Sequence, residues 1–362
     1  MTTARNRLLL VVLTLATLTL LPTSAEAQHY STRRLVSDIP GFAVTTDKNL
    51  VNAWGIDRSP TGPWWVADNG TGVSTLYNGA GQPFPLAAPL VVTIPAASGT
   101  SAPTGLVFNG TMDFAVEPGK PAIFIFVTEG GTIAGWNPQV NPTTAVQVVD
   151  NSGKAIYKGA TIAQHLGSNL LYAANFFSGQ IEVYDSSFHP VDLGSGAFVD
   201  STLPEGFAPF NVRLVGNRIY VAYAKQDAEK KDEVAGAGLG FVDAFTPGGK
   251  LIMRLKTGHW LNAPWGITRA PAGFGKFSGK LLIGNFGSGK IAAYNPRTGN
   301  FRGLLRNSKG KPIQIDGLWA LVFGNGALAG PATTLFFSAG IDDEAHGLFG
   351  TIRPTCCGFG VR

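Results

Sequence analysis

The chain has 362 residues, among them 47 Gly and 23 Pro, with only 14% charged residues and a mean hydropathy of +0.13. So little charge against so much apolar content excludes an intrinsically disordered chain and suits an all-β fold punctuated by many turns. A formal charge of +5 with no Lys/Arg block excludes a dedicated nucleic-acid surface.

In chain order, Arg5 and Arg7 precede an apolar run from Leu8 to Leu21, and Pro22-Thr-Ser-Ala25-Glu-Ala27 supplies a small-x-small site. This pattern predicts a cleavable signal over residues 1–27 and export of a chain that is periplasmic or extracellular. The apolar run is too short to span a bilayer, so no membrane span is expected after its removal.

Next comes a lone strand, Tyr30 to Asp38, and then a repeat. Its copies are Ala53-Trp54-Gly55-Ile56, Pro103-Thr104-Gly105-Leu106, Gly159-Ala160-Thr161-Ile162, Pro209-Phe210-Asn211-Val212, Pro264-Trp265-Gly266-Ile267 and Leu318-Trp319-Ala320-Leu321. Subtracting successive numbers of Gly55, Gly105, Thr161, Asn211, Gly266 and Ala320 gives separations of 50, 56, 50, 55 and 54. A period of that size with only strand-like segments inside it predicts four-stranded propeller blades.

The strands alternate only loosely, as strands buried between neighbouring blades do. The last repeat supplies three strands: Trp319 to Phe323, Thr334 to Ala339 and Gly347 to Arg353. The N-terminal strand is therefore expected to complete it, giving an all-β, six-bladed β-propeller closed by the N-terminal strand. One domain over 28–354 with a short tail, 355–362, and a monomeric state are expected. The connection from Lys225 to Val234 mixes both signs of charge and reads as an exposed loop. Cys356 and Cys357 are adjacent in the tail, where neighbouring Cα atoms stand about 3.8 Å apart, short of the usual disulfide span.

Three constellations could carry function. Asp68, Glu129, Asn175 and Asn285 end the second strands of successive blades, and oxygen donors converging on an axis suit a hard cation such as Ca²⁺. The same residue types also make good turns after a strand. His259 and His346 fall on the same expected face, and Glu344 lies beside His346; a His with a carboxylate in reach could activate water. The alternative is that Glu344 and His346 close the last loop through hydrogen bonds. Finally, Trp54, Phe210, Trp265 and Trp319 hold one position of four blades, where rings could stack on a ligand or wedge neighbouring blades together. No Gly-x-Ser-x-Gly or His-Glu-x-x-His motif occurs.

The stretches Asn49-Leu-Val-Asn-Ala-Trp-Gly-Ile56, Asp316-Gly-Leu-Trp-Ala-Leu-Val-Phe-Gly-Asn-Gly326 and Glu344-Ala-His346-Gly-Leu-Phe-Gly350 resemble the first and closing blades of a family of exported bacterial propellers. That family has no established activity to imply here, and the sorting tail of some members is absent. The blades are also loosely similar to NHL-repeat and gluconolactonase-like propellers, which hold a divalent ion near the axis with acidic and amide side chains. Together these readings predict a non-catalytic binding or scaffold module of the cell envelope, its partner an unknown ligand or envelope protein. The alternative is a divalent-metal-dependent hydrolase of lactonase or esterase type.

Overall fold

Each repeat folds back on itself as an antiparallel sheet, and the sheets stand around one axis. The computed structural model describes residues 28–355. The expected signal over 1–27 and the Cys356–Cys357 pair lie outside these residues. The six inner strands are Ala53–Arg58, Pro103–Phe108, Tyr157–His165, Phe207–Val215, Pro264–Arg269 and Leu318–Phe323. Each touches the next, and the last touches the first, which closes the ring. This is the six-bladed all-β propeller that the repeat predicts.

Closure follows the expected route. The N-terminal strand His29–Ser37 lies antiparallel on His346–Thr355, from His29 opposite Thr355 to Ser37 opposite Leu348, with a bulge between Arg34 and Val36. The closing blade thus joins both ends of the described chain. The closing sheet has five strands, because the short strand Thr45–Thr46 adds in parallel to the N-terminal one; blades 1, 2, 4 and 5 have four, whereas blade 3 has three: Tyr157–His165, Ser168–Asn175 and Gln180–Tyr184.

The weak alternation now has its cause. The second strands Trp64–Asp68, Phe124–Thr128 and Leu281–Asn285 are buried at every position, because each blade is packed on both faces. Glycine lets the inner strands close in at the axis: a Cβ on Gly105 would stand 2.7 Å from the Cα of Gly159, and one on Gly266 2.8 Å from the carbonyl of Trp319.

That packing also corrects the alignment of blade 3. Gly159, not Thr161, stands in the ring with Gly55, Gly105 and Gly266. The residue two positions earlier than expected, Lys158, thereby takes the place occupied by Trp54, Phe210, Trp265 and Trp319. Lys158 is the bulged residue between the pairs Tyr157 with Asn175 and Gly159 with Ala174, just as Trp265 is bulged in blade 5 and Phe210 in blade 4. Blade 3 has no aromatic to mark the position, so the repeat pattern alone left it out of register.

Candidate functional site

The bulges turn one side chain per inner strand toward the axis, and four of the six are aromatic. Trp319 is the hub: its ring lies 3.8 Å from Trp54, 4.0 Å from Phe286, 5.7 Å from Phe210 and 5.9 Å from Trp265, centroid to centroid. Trp54, Phe210, Trp265 and Trp319 are all buried. They plug the channel and offer no exposed stacking face. Further along the axis remains a cavity of about 20 Å³ lined by Gly55, Gly105, Ala160 and Asn211. Arg213 pairs with Asp57 nearby, Nη2 to Oδ1, at 3.3 Å.

A second ring is built from backbone. At the end of each second strand, just past it in five blades and one residue inside it in the closing blade, a residue donates its N–H to the carbonyl of the residue that precedes the inner strand. These residues are Asn69, Glu129, Phe176, Gln226, Phe286 and Gly340. Glu129 belongs here, while Asp68, Asn175 and Asn285 belong one residue earlier: Pro103 pairs with Thr128, as Ala53 does with Asp68. In a strand a one-residue offset turns a side chain to the opposite face. The four expected metal ligands therefore do not converge, and no hydrogen bond joins any two of them.

Each has its own partners. Asp68 is fully buried and accepts from Thr75 Oγ1 at 2.7 Å; burial drives its carboxyl well above the usual range. Asn175 donates to Glu182 at 2.7 Å and accepts the Ile156 N–H. Asn285 accepts the Asn262 N–H at 2.9 Å and donates to the Lys290 carbonyl at 2.9 Å, which closes two turns.

Glu129 faces the mouth of the channel, where its Oε1 lies 2.5 Å from the Lys158 ammonium. The Lys158 side chain is 0% exposed, sits 5.0 Å over the Trp54 ring, and has Asp232 Oδ1 at 3.2 Å. The surroundings continue through amides. Asn69 donates to Glu129 Oε2 at 2.9 Å, and Asn52 donates to Glu344 Oε2 at 2.6 Å and to Asn69 Oδ1 at 3.2 Å. The indole N–H of Trp319 donates to Asn52 Oδ1 at 3.1 Å and that of Trp265 to the Lys158 carbonyl at 2.9 Å, whereas the buried Trp54 N–H has no acceptor.

One ammonium thus stands among four carboxyl groups. Burial alone would lower the Lys158 pKa, but Glu129, Glu233 and Asp232 more than offset it and hold the group protonated. Glu233 shows the opposite balance. Burial, reinforced by Glu344 and Asp232, pushes its carboxyl up to about 8 although Lys158 pulls it down. Burial also raises Glu344, with Glu129 adding to the rise and the Asn52 hydrogen bond opposing it. Both carboxyls are thus shifted toward the protonated form. Among the described residues no three His, Cys, Asp or Glu side chains stand together so as to hold a metal ion. With Lys158 at the centre, the donor set does not fit a resident Ca²⁺.

The expected His and Glu residues are not brought together. Glu344 turns to the axis, while His346 turns outward and places Nδ1 2.6 Å from Oδ2 of Asp38, just past the closing strand. His259 is exposed and packs edge-on against Trp260 at 5.3 Å, and among the described residues no carboxylate pairs with it. Asp342, Asp343 and Glu344 have φ of 56°, 52° and 65°, and Asn52 has 46°. Three successive non-glycine residues in the left-handed region are a local strain spent where the chain aims Glu344 at the mouth.

Sequence reading did not single out Lys158, Asp232, Glu233, Asn52 or Asn69. The usable signal was the length of the connection between Lys225 and Phe241. It closes on itself through a bridge between Gln226 and Glu233 and reaches the mouth where Asp232 meets Lys158.

No protein-family model matches the chain. An uncharacterised protein of Acanthamoeba polyphaga mimivirus is 33% identical over 333 residues, covering 88% of this chain and 78% of the relative. A second from the same virus is 30% identical over 336 residues, covering 88% and 84%. Kinship with exported bacterial propellers, suggested by the motifs, is thereby reduced to the shared propeller fold.

Among solved structures, virginiamycin B lyase from Staphylococcus aureus superposes with a TM-score of 0.51 at 10% identity, covering 90% of this chain and 99% of the lyase. A Bacteroides thetaiotaomicron protein of unknown function gives 0.54 at 9% identity, covering 91% and 76%. At such identities the likeness is one of fold alone. Among the described residues no helix is long and apolar enough to cross a membrane.

Proposed function

This chain belongs to the family of these mimivirus proteins, and we propose that it is an exported, non-catalytic binding module that takes a cationic organic ligand at the channel mouth. The observation that carries the reading is the charge balance around Lys158: four carboxyl groups to one ammonium, two of them driven toward the protonated form. An incoming cation would displace protons from them and gain charge-assisted hydrogen bonds at a partly desolvated site. The aromatic plug beneath gives that site a rigid floor. Export rests on the basic, apolar and small-residue pattern of residues 1–27. N-terminal sequencing of the protein from its native source, beginning at Gln28, is the expected outcome, and an intact Met1 would refute export.

A second reading is carried by Glu233. A carboxyl poised at about 8 beside a lysine is suited to general acid–base chemistry, so a hydrolase or lyase acting on a ligand seated at the mouth is the alternative.

Calorimetric titration with putrescine, tetramethylammonium and Ca²⁺ tests the first reading, in buffers of different ionisation enthalpy. Putrescine is expected to bind one to one and to release protons near neutral pH but not above about pH 9. Glu344→Gln should weaken it about tenfold, or about 1.4 kcal/mol. Failure of every organic cation to bind at millimolar concentration sinks the proposal, and stoichiometric binding of Ca²⁺ alone would replace it with a metal site.

A further inference from the structure

Among the described residues, blade 3 is the one sheet of the ring without an outer strand. Its third strand, Gln180–Tyr184, begins to acquire one: Asp185 N–H donates to the His189 carbonyl at 2.9 Å, Val191 N–H to the Val183 carbonyl at 2.8 Å, and Tyr184 bridges Pro190. The pairing then stops. After Val191 the chain swings away to blade 4, where Phe198 N–H donates to the Gly249 carbonyl at 2.8 Å.

Outward direction along this edge is fixed by the Val191 bond. Because the Val183 carbonyl points out, so do the N–H of Val183 and, two residues earlier, both backbone groups of Ile181. Among the described residues no hydrogen bond involves these three groups. Beside them lies a groove of about 510 Å³, walled by Asn151, Lys154 and Glu182 on one side and by Leu193, Phe198 and Val199 on the other.

Natural proteins blunt such edges with Lys, Pro or a bulge. Here the free stretch is Gln180-Ile181-Glu182, and Glu182 is committed inward, accepting from Asn175 and Tyr184 at 2.7 Å each and also from Tyr157. Unpaired backbone groups demand an extended backbone as occupant. The outer strands of blades 1, 2, 4 and 5 show its length, three to five residues, and its antiparallel sense.

We propose that the open edge of blade 3 is a β-augmentation site, which receives a short extended segment of a partner protein as the fourth strand. The pleat sets its chemistry. Alternate side chains turn to Leu193, Phe198 and Val199 and are apolar. The others turn to Asn151, Lys154 and Glu182 and are neutral and polar, since both signs of charge face them. The site lies on the rim of the propeller and is independent of the channel mouth.

The probe is the capped peptide Thr-Val-Thr-Val-Thr, followed by amide hydrogen exchange and fluorescence anisotropy on the intact protein. Binding in the micromolar range is expected, with exchange of the Ile181 and Val183 amides slowed at least tenfold. The same peptide N-methylated along its bonding edge should not bind. Ile181→Pro removes one donor and Ile181→Lys adds a guarding charge; both should abolish binding, with a modest fall in Tm because Ile181 packs half-buried on the blade core, and the lysine variant keeps the test open if proline disturbs the blade. Unchanged exchange at millimolar peptide would overturn the proposal, as would equal binding of the N-methylated peptide. A dimer by light scattering, with the two amides already protected, would overturn it in favour of a second copy as the occupant.

Discussion

Replacing Glu233 with Gln isolates the electrostatics of the channel mouth. In the folded chain burial raises this carboxyl from 4.5 to about 8 against the pull of Lys158, and the unfolded chain has no such environment. Between those values the folded chain keeps a proton that the unfolded chain has lost, so stability falls as pH rises through the window. At about 1.4 kcal/mol per pH unit the full displacement is worth roughly 4–5 kcal/mol. Glu233 is half-buried rather than sealed, and solvent screening brings the expected cost to about 2 kcal/mol.

Glutamine keeps the shape of the side chain and cannot ionise. The variant should match the parent near pH 4.5 and exceed it by about 2 kcal/mol above about pH 8. With roughly 2.1 cal/mol/K of unfolding entropy per residue over residues 28–355, or about 0.7 kcal/mol/K, this is a Tm gain of about 3 °C. Urea and thermal denaturation of both proteins across that range measure it. A difference that does not change with pH, or a parent that is the more stable in alkali, would refute the reasoning.

Three further outcomes follow from the same geometry. Lys158→Met leaves Glu129 facing the mouth without its counter-ion and should cost about 3–5 kcal/mol near neutral pH by urea denaturation, with part of the loss restored by adding Glu129→Gln. Trp319→Ala empties the hub of the plug and should cost about 3–5 kcal/mol, with loss of the near-UV circular dichroism of the stacked indoles. His346 is raised above 6.5, first by its hydrogen bond to Asp38; its stabilisation is complete below that value and lost as pH climbs through the raised one. Asp38→Asn should bring the His346 titration, followed by NMR, back toward 6.5, and an unshifted titration would show that another group holds the proton.

The sequence by itself determined the architecture. The repeat of Trp54-Gly55, Trp265-Gly266 and their counterparts is written locally in every blade, and a shared period of strands has one economical closure. The N-terminal strand was legible for the same reason, since the last repeat was one strand short. The tertiary structure alone decided the site. Lys158 reaches the axis through a bulge that a blade without an aromatic does not announce. Glu129 faces the mouth, and Asp68, Asn175 and Asn285 do not, because of a one-residue offset whose effect depends on the pleat. Asp232 and Glu233 lie in what reads as a solvated loop until the fold carries it over the channel. Strand period is a local property of the chain, whereas the balance of charge around Lys158 comes from loops of blades 2, 4 and 6 that meet only when the ring is closed.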